Sequence, residues 1–347
     1  MKIPIRILII CIAVLMASGI SSADYNFNGF PVVTRTSGTV NGGVYTGYEP
    51  WADTTALTGS FDVPDGTVEW AYLYTGIWGG TEDYEGWANV TFNNCTSSGL
   101  GPIHLKGKND TNPNVWCSSH GKHWMYYNVT DLTSAGCTNI AMVSKINSTL
   151  GCFDGRVYGI VLVVVYEDGS DDVRYWVNDG SDCLNYVIPN DDETTYFNGT
   201  FIDNARTAAL TMVHLTGYEP SCTNCLEFNG RPLDTSVITS DFELNTWDVL
   251  NCTAPSENNA TYSRGEDDYV NICCAILTAE RICGDVTGNS VVDTGDVILL
   301  SNYVGYPGYT LVNEWAGDVT GNGVIDTGDV ILLSNYVGYP GYVLNCT

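Results

Sequence analysis

The sequence predicts a mainly β protein, with a β-sandwich or jelly roll as its front domain and a small α domain of two loop–helix repeats at its C-terminus. Three observations support this fold class. Short runs rich in Val, Tyr, Trp and Thr are separated by Gly, Asn and Asp throughout the front region. No amphipathic helix of about 10–15 residues interrupts these runs. Residues 284–309 recur at 317–342, with changes only at Ser290/Gly323 and Val292/Ile325.

The chain divides into three predicted parts, a signal peptide at residues 1–23, a β-sandwich domain at 24–279 and a repeat domain at 280–347. Residues 157–166 are almost entirely apolar, which predicts a central strand buried on both faces. Asp168-Gly169 and Asp179-Gly180 are typical of turns. The predicted strands cover residues 68–74, 87–92, 124–129, 139–144, 157–166, 173–177, 208–215 and 270–278.

The N-terminus has the pattern of a secretory signal. Lys2 and Arg6 accompany an apolar run at 7–16, and small residues at 21–23 offer a cleavage site. A retained anchor is the alternative, but the run is shorter than a spanning helix requires. We therefore expect a secreted protein with no membrane span after cleavage. The net charge of −27, which becomes −29 when Lys2 and Arg6 are removed, argues against binding to nucleic acid.

Each repeat opens with a twelve-residue loop rich in oxygen ligands. The spacing of positions 1, 3, 5, 7, 9 and 12 allows a short loop to surround one hard cation, with a backbone carbonyl at position 7. We therefore predict two Ca²⁺ sites, the first somewhat weaker because Ser290 replaces the glycine preferred at position 6. An acidic surface turn is the alternative for one loop alone. The predicted ligands are Asp285, Thr287, Asn289, Val291, Asp293 and Asp296, then Asp318, Thr320, Asn322, Val324, Asp326 and Asp329.

A short helix should follow each loop. Val297, Leu300 and Val304 recur at helical spacing, and Gly305 and Pro307 should end the helix. The second copy repeats this pattern, and neither loop has a convincing helix before it. The sequence therefore predicts a one-sided EF-hand that is used twice.

The run GDVTGNSVVDTGDVILLSNYV and its second copy resemble the duplicated repeat of dockerin domains. The resemblance covers about residues 283–347. It implies calcium-dependent docking onto a cohesin-type β-sandwich. It also implies contacts to the partner at loop positions 10 and 11 and at two helix positions of each copy. These are Thr294, Gly295, Ser301 and Asn302, with Thr327, Gly328, Ser334 and Asn335 in the second copy.

The front region contains GTVNGGVYTGYEPW, VEWAYLYTGIWGG, WANVTF, FDGRVYGIVLVVVYEDGSDDVRYWVNDG and FNGRPLD. These segments resemble a domain family of unknown function that is common in secreted proteins of methanogenic archaea. The match spans most of residues 35–240. It implies an archaeal surface protein and supplies no catalytic residues.

Thirteen cysteines include Cys11 in the signal, which leaves an even number, as is typical of disulfide-bonded secreted chains. One pair can be argued from the repeat. Two copies packed antiparallel bring their outer ends together, which predicts a Cys283–Cys346 bond. Cys137–Cys152 and Cys222–Cys225 are further candidates.

Asn-x-Ser/Thr sequons are unusually dense, although chance in an Asn- and Thr-rich chain could produce some of them. Each is a candidate glycosylation site on the surface of a secreted protein. The asparagines are Asn89, Asn94, Asn109, Asn128, Asn147, Asn198, Asn251, Asn259 and Asn345.

An enzyme is the main alternative, and the sequence contains residues that could act in catalysis. Seven acidic residues could supply the two carboxylates of a glycosidase, but no motif selects a pair. Cys117, His120 and His123 have metal-like spacing, but a disulfide at Cys117 is favoured in a secreted chain. Several tryptophans could line a sugar site or simply fill the core. The acidic residues are Glu69, Asp83, Glu85, Asp154, Asp171, Asp172 and Glu193.

The sequence therefore predicts a secreted, glycosylated, calcium-binding assembly protein that is not an enzyme. Its partner would be a cohesin-like domain, or the front domain of another subunit in a head-to-tail polymer, with glycans as possible further ligands. The alternative is a polysaccharide-active enzyme or carbohydrate-binding module displayed through its dockerin.

Overall fold

The computed structural model describes residues 29–93, 100–146, 152–185, 192–200, 205–216, 225–238, 242–265, 269–289 and 291–346. The predicted signal peptide therefore lies outside the described residues. So do Asn94, Asn147, Cys222 and Ser290.

The described front region is built almost entirely from β-strands, which confirms the predicted fold class. All eight predicted strands are present, and the segments 157–166 and 173–177 belong to one long strand. The strands are β1 (Gly29–Glu49), β2 (Ala56–Asp62), β3 (Thr67–Trp78), β4 (Gly86–Phe92), β5 (Ile103–Leu105), β6 (Val115–Ser118), β7 (Lys122–Asn128), β8 (Thr138–Ile146), β9 (Arg156–Asn185), β10 (Asp192–Thr200), β11 (Thr207–Thr216), β12 (Leu226–Phe228), β13 (Arg231–Pro232), β14 (Glu243–Asp248), β15 (Ser256–Ser263) and β16 (Tyr269–Arg281).

The strands form three sheets. The main sheet has the order β14-β11-β16-β9-β3-β7-β6, and β1 also pairs with β9. The first outer sheet has the order β2-β8-β4-β5, and the second outer sheet has the order β10-β15-β12-β13. Each pairing between strands is antiparallel.

Three buried clusters show how these sheets pack. The first outer sheet packs on β3, β7 and the first half of β9, around side chains such as Phe61 and Leu162. The second outer sheet packs on β11, β16 and the second half of β9, around Leu210 and Phe228. A third cluster, which includes Trp124, joins the two halves of the main sheet face to face. The front region is therefore two β-sandwiches placed back to back.

Strand β9 contributes completely buried side chains to all three clusters. Each residue from Ile160 to Val165 is 0% exposed. Leu162 and Val164 point into the first sandwich, while Val163 and Val165 point towards the other half of the main sheet. This confirms a central strand that is buried on both faces. Each such side chain stabilises the fold by about 2 kcal/mol through its apolar burial.

The long ribbon of β1 and β9 bends where one half of the main sheet meets the other. Asn41 pairs with Asp172 but the next residue, Gly42, pairs with Glu167, so residues 168–171 form a bulge in β9. A Cβ at Gly42 would lie 2.1 Å from the carbonyl oxygen of Tyr166, which explains the glycine. The Asp168-Gly169 signal therefore marks a bulge within a strand rather than a hairpin turn.

The predicted turn at Asp179-Gly180 is wrong, because β9 continues through both residues. A Cβ at Gly180 would lie 2.5 Å from the carbonyl oxygen of Pro31, so this glycine permits close backbone approach within the sheet. Asp179 is buried and accepts hydrogen bonds from Arg35 Nε, at 2.9 Å, and from the Tyr74 hydroxyl, at 3.0 Å. The dipeptide therefore has a packing role.

The C-terminal domain contains helices α1 (Thr294–Gly305) and α2 (Thr327–Gly338), which pack around Leu300 and Leu333. Both helices end at the predicted glycines, and the loops follow a strand and a single 3₁₀ turn, as expected. The two domains meet at Arg281. Its Nε donates to Asp172 Oδ2 at 2.7 Å, and its guanidinium lies 3.4 Å from the centroid of the Trp315 ring.

None of the helices in the described part of the chain is long and apolar enough to cross a membrane.

Asp182 on β9 should make the stability of the front domain depend on pH. It is buried, accepts a hydrogen bond from the Tyr262 hydroxyl at 2.7 Å, and has its pKa raised to about 6 by burial. The native state therefore binds more protons than the unfolded state between about pH 4 and pH 6. Consequently, the contribution of Asp182 to the free energy of unfolding should fall by about 3 kcal/mol as pH rises through this window. This contribution should be absent in Asp182→Asn, which should lose less stability than the wild type over the same pH range.

Urea unfolding of the mature chain between pH 4 and pH 8 measures this difference. The exposed Asp192→Asn is the control and should keep the wild-type pH dependence. Identical pH profiles for the wild type and Asp182→Asn would contradict the prediction.

Candidate calcium and docking site

The first loop brings its position-1 and position-12 carboxylates together. Asp285 is 5% exposed and Asp296 is 0% exposed. Thr287 lies between them, because its backbone N–H donates to Asp296 Oδ1 at 3.0 Å and its hydroxyl donates to Asp285 Oδ1 at 3.2 Å. Asn289 Oδ1 accepts from the backbone N–H of Val291 at 2.8 Å, which tightens the centre of the loop.

The second loop repeats this arrangement. Thr320 donates from its backbone to Asp329 Oδ1 at 2.9 Å and from its hydroxyl to Asp318 Oδ1 at 3.3 Å. Gly323 has a φ of +81°, and its N–H donates to Asp318 Oδ2 at 2.6 Å. A left-handed backbone at position 6 is therefore used here, as the sequence predicted. Asn322 Oδ1 accepts from the backbone N–H of Val324 at 2.9 Å.

The position-9 carboxylates cap the N-termini of the helices and do not point to the loop centres. Asp293 and Asp326 are exposed, and each accepts a hydrogen bond from the backbone N–H two residues later at 2.6 Å. Asp296 and Asp329 complete a capping box at the start of each helix. A ligand at position 9 commonly reaches calcium through water, which is compatible with this placement.

The loop residues fit a hard cation. Asp296 and Asp329 are completely buried, and among the described residues no Lys or Arg forms an ion pair with either. A buried carboxylate is costly without a compensating charge. A Ca²⁺ ion bound by the surrounding oxygen donors would supply that charge.

A groove of about 410 Å³ lies between the two helices. Ser301 and Asn302 from α1 meet Ser334 and Asn335 from α2 in its lining. Four of the eight partner contacts implied by the dockerin resemblance therefore converge on one surface. The other four lie at the exposed beginnings of the helices, outside this lining; they are Thr294, Gly295, Thr327 and Gly328.

The groove also contains residues that sequence reasoning missed. Val297, Val330, Ile298 and Ile331 complete its lining, and the two isoleucines are each 57% exposed. The sequence did contain a signal for these residues, because Ile298 and Ile331 lie outside the helix positions that face the core. An apolar side chain at such a position is exposed, and exposed apolar side chains are typical of a binding surface.

The structure forms the Cys283–Cys346 disulfide bond, with Cα atoms 5.6 Å apart, so the two ends of the C-terminal domain are joined. Cys225 is also disulfide-bonded. The Cys137–Cys152 pairing is wrong, because both are exposed free thiols near opposite ends of β8, a strand about 30 Å long. The broader expectation of full pairing also fails, since Cys117, Cys183, Cys252, Cys273 and Cys274 are free thiols.

Two family models match the chain. Residues 23–280 match a protein family of unknown function, DUF3344, and residues 283–338 match the dockerin type I domain. The chain belongs to the DUF3344 family. Its DUF3344 domain is followed by a C-terminal type I dockerin domain, a module that binds calcium and docks onto cohesin.

Comparison with other proteins adds little about function. No curated protein matches the sequence. PNGase F from Flavobacterium meningosepticum, a glycosylasparaginase, is 11% identical with a TM-score of 0.24, over 69% of this chain and 96% of that chain. A β-porphyranase from Bacteroides plebeius is 12% identical with a TM-score of 0.24, over 66% of this chain and 35% of that chain. These similarities are too low to support a functional argument.

The candidate zinc ligands of the DUF3344 domain do not form a metal site. The Cys117 thiol is buried, and burial raises its pKa to about 12. His123 is also buried; its Nε2 accepts from the Gly107 N–H at 3.1 Å, and burial lowers its pKa to about 4. His120 is exposed, with a left-handed φ of 61°. Within the described ranges, no three His, Cys, Asp or Glu side chains form a metal-binding group; each calcium loop brings only its position-1 and position-12 carboxylates together, because the position-9 carboxylate caps the helix.

Four of the candidate catalytic carboxylates are paired with cationic or imidazole groups. Asp83 pairs with Lys108, Asp154 with Arg156, and Asp172 with Arg281. Glu85 lies 3.2 Å from the imidazole of His104. These contacts give the carboxylates structural partners.

The sequon asparagines in the described part of the chain are accessible. Asn109, Asn128, Asn198, Asn251 and Asn345 are exposed, and Asn89 and Asn259 are half-buried. Their glycosylation remains a prediction.

Removing calcium should unfold the dockerin domain selectively. The reason is that Asp296 and Asp329 are buried without a protein counter-charge, so the loops need the cation to stay closed. Hydrogen exchange measured by mass spectrometry should show that EDTA removes the protection of the backbone amides in residues 294–305 and 327–338, while the amides of β9 stay protected.

Asp296→Ala and Asp329→Ala should each abolish one of two calcium equivalents in a titration. Asp131→Ala, an exposed carboxylate outside the loops, is the matched control. Helix protection that is indifferent to EDTA would show that the cation is not needed for folding.

Proposed function

We propose that this chain is a secreted, calcium-dependent assembly glycoprotein of an archaeal cell surface, joined to its neighbours through the dockerin groove. The observation that carries the proposal is the convergence of Ser301, Asn302, Ser334 and Asn335 in one apolar groove of a dockerin domain. Two bound calcium ions, one in each loop, would hold the groove in shape.

The acceptor of a dockerin is a cohesin-like β-sandwich, and this chain contains β-sandwich architecture of its own. The finer form of the proposal is that the groove of one subunit docks onto the front domain of the next. A contact of this heterologous type repeats head to tail, which produces open filaments or closed rings. Glycans on the exposed sequons would then cover the outside of the polymer.

The proposed role includes no catalytic step. The pairing of Asp83, Asp154 and Asp172 with basic side chains supports this, because a paired carboxylate is poorly placed as a general acid or base. The other candidate is a polysaccharide-active enzyme or carbohydrate-binding module displayed through the dockerin.

The mature chain should release no reducing ends from common polysaccharides. A glycosidase needs two carboxylates that face each other across a cleft, and neither the sequence nor the described front domain identifies such a pair. A reducing-sugar assay over a broad panel, with calcium present, measures this. Sustained turnover that scales with enzyme concentration would establish the alternative.

The full mature chain should bind a type I cohesin module or a second copy of itself in calcium, and EDTA should reverse the binding. The combined variant Ile298→Glu, Ile331→Glu should weaken that binding at least about tenfold, because each carboxylate would enter an apolar contact. Calorimetry measures binding to cohesin modules, and light scattering of the protein alone measures binding to a second copy.

Val343→Glu places one carboxylate on an exposed residue outside the groove lining and should bind normally. If neither cohesin modules nor a second copy bind in calcium, the dockerin function proposed for this chain is wrong.

A further inference from the structure

We propose that the outward face of the first outer sheet is the surface that receives the dockerin groove of a second copy. This inference rests on the proposed function and names the acceptor that it requires. The face is formed by the outward side chains of β2, β8, β4 and β5, and we call it the acceptor face.

Exposed apolar side chains are concentrated on the acceptor face. In the described part of the front domain, eight large hydrophobic side chains are exposed, and four of them lie here. Ile140 is 49% exposed, Met142 is 47% exposed, and Trp87 and Ile146 are each 37% exposed. A cluster of this kind on a protein surface is typical of an interface.

The register of the strands arranges these side chains in an ordered pattern. Ile140 and Met142 are successive outward residues of β8, in the interior of the sheet, and Ile146 lies on the same side beyond Ser144. Thr58 on β2 and Thr91 on β4 lie on either side of Met142. An apolar ridge is therefore flanked by hydroxyl groups.

The end of the ridge is widened by a ring pair. Trp87 is the partner of Ile146 on β4, and its indole stacks on the imidazole of His104 with ring centroids 4.5 Å apart. This stack makes the end of the acceptor face flat, and the Glu85 carboxylate lies at its edge, 3.2 Å from His104 Nε2.

The dockerin groove has the complementary chemistry. Ile298 and Ile331 provide exposed apolar surface between the helices, and Ser301 and Ser334 provide hydroxyl groups beside it. The β8 ridge can occupy the groove while the flanking threonines meet the serine and asparagine side chains. Strands of seven, nine, seven and three residues, spaced by about 4.8 Å, give a face of about 420 Å², about half of one side of a standard interface.

Charge favours this pair of surfaces. The chain has a net charge of −27, so two copies repel each other over most of their surfaces. Of the outward residues on the four strands, only Asp62 has a formal charge, and it lies at the end of β2, where it accepts from Thr138. The residues that line the groove are all uncharged. Docking these two surfaces therefore avoids contact between like charges.

The contact has to come from another molecule. Ile140 and Met142 on the acceptor face and Ile298 and Ile331 in the groove remain exposed in the same structure. The dockerin domain is held beside β16 by Arg281, which contacts both Asp172 and Trp315. The two surfaces of one chain therefore do not cover each other, and a second copy can dock at each end.

Asn89 provides an internal constraint on this proposal. It lies on β4 between Trp87 and Thr91, on the outward side of the sheet. A glycan at Asn89 would stand on the acceptor face and block the groove of a second copy. The assembled protein should therefore carry no glycan at Asn89, whatever the state of the other sequons.

A complementation experiment with the full mature chain tests the inference. Met142→Glu blocks the acceptor face, and Ile298→Glu with Ile331→Glu blocks the groove. In calcium, the wild type should form polymers, and each blocked variant alone should be monomeric, with self-association weakened at least about tenfold. An equimolar mixture of the two variants should form dimers and nothing larger, because only one intact contact can form. Sedimentation velocity measures all four samples.

Tyr196→Glu is the matched control, since Tyr196 is 54% exposed on the second outer sheet, and this variant should polymerise like the wild type. If Met142→Glu forms polymers like those of the wild type, the acceptor face does not receive the groove, even if the groove variant stays monomeric. A wild-type chain that remains monomeric in calcium but binds a cohesin module would also overturn it while leaving the dockerin function intact. Glycan found at Asn89 in isolated polymers would overturn it as well.

Discussion

The burial of β9 on both faces is the constraint on which the front domain depends. Ile160 to Val165 lose all contact with water because one side chain in two enters a sandwich core and the next enters the contact between the halves of the main sheet. A sheet buried on both sides needs further layers to cover it. The two outer sheets supply those layers, and each leaves one face towards solvent. The outward face of the first outer sheet therefore exists because β9 is central.

The dockerin domain depends less on apolar burial than the front domain does, and more on its loop carboxylates and a disulfide bond. Its apolar core is small, and the closure of its two loops depends on buried carboxylates that need a cation. The Cys283–Cys346 bond joins the chain ends across a separation of 63 residues, which limits the unfolded state when calcium is scarce. The disulfide bond and the loop carboxylates both act on this small domain, which is consistent with a docking surface that must keep its shape.

The contact at Arg281 links these two parts. Its guanidinium pairs with Asp172 beside the bulge of β9 and stacks on Trp315, three residues before the second calcium loop begins at Asp318. The bend in the front domain and the start of that loop are therefore joined through a single side chain.

The sequence by itself determined the local features of this protein. Hydrophobic patterns identified eight strands and the doubly buried centre of β9, because burial on two faces leaves a continuous apolar run. The repeat identified the calcium loops, both helices and the Cys283–Cys346 bond, because their spacing lies within about sixty residues. Only the tertiary structure decided features that depend on distant pairing. The bulge at residues 168–171 and the close backbone approach at Gly180 resemble turns in sequence, and only the partner strand distinguishes them. Cys137 and Cys152 are close in sequence but are separated by a strand. The exposure of Ile298 and of Met142 follows from which faces the neighbouring layers cover, and no local pattern encodes that.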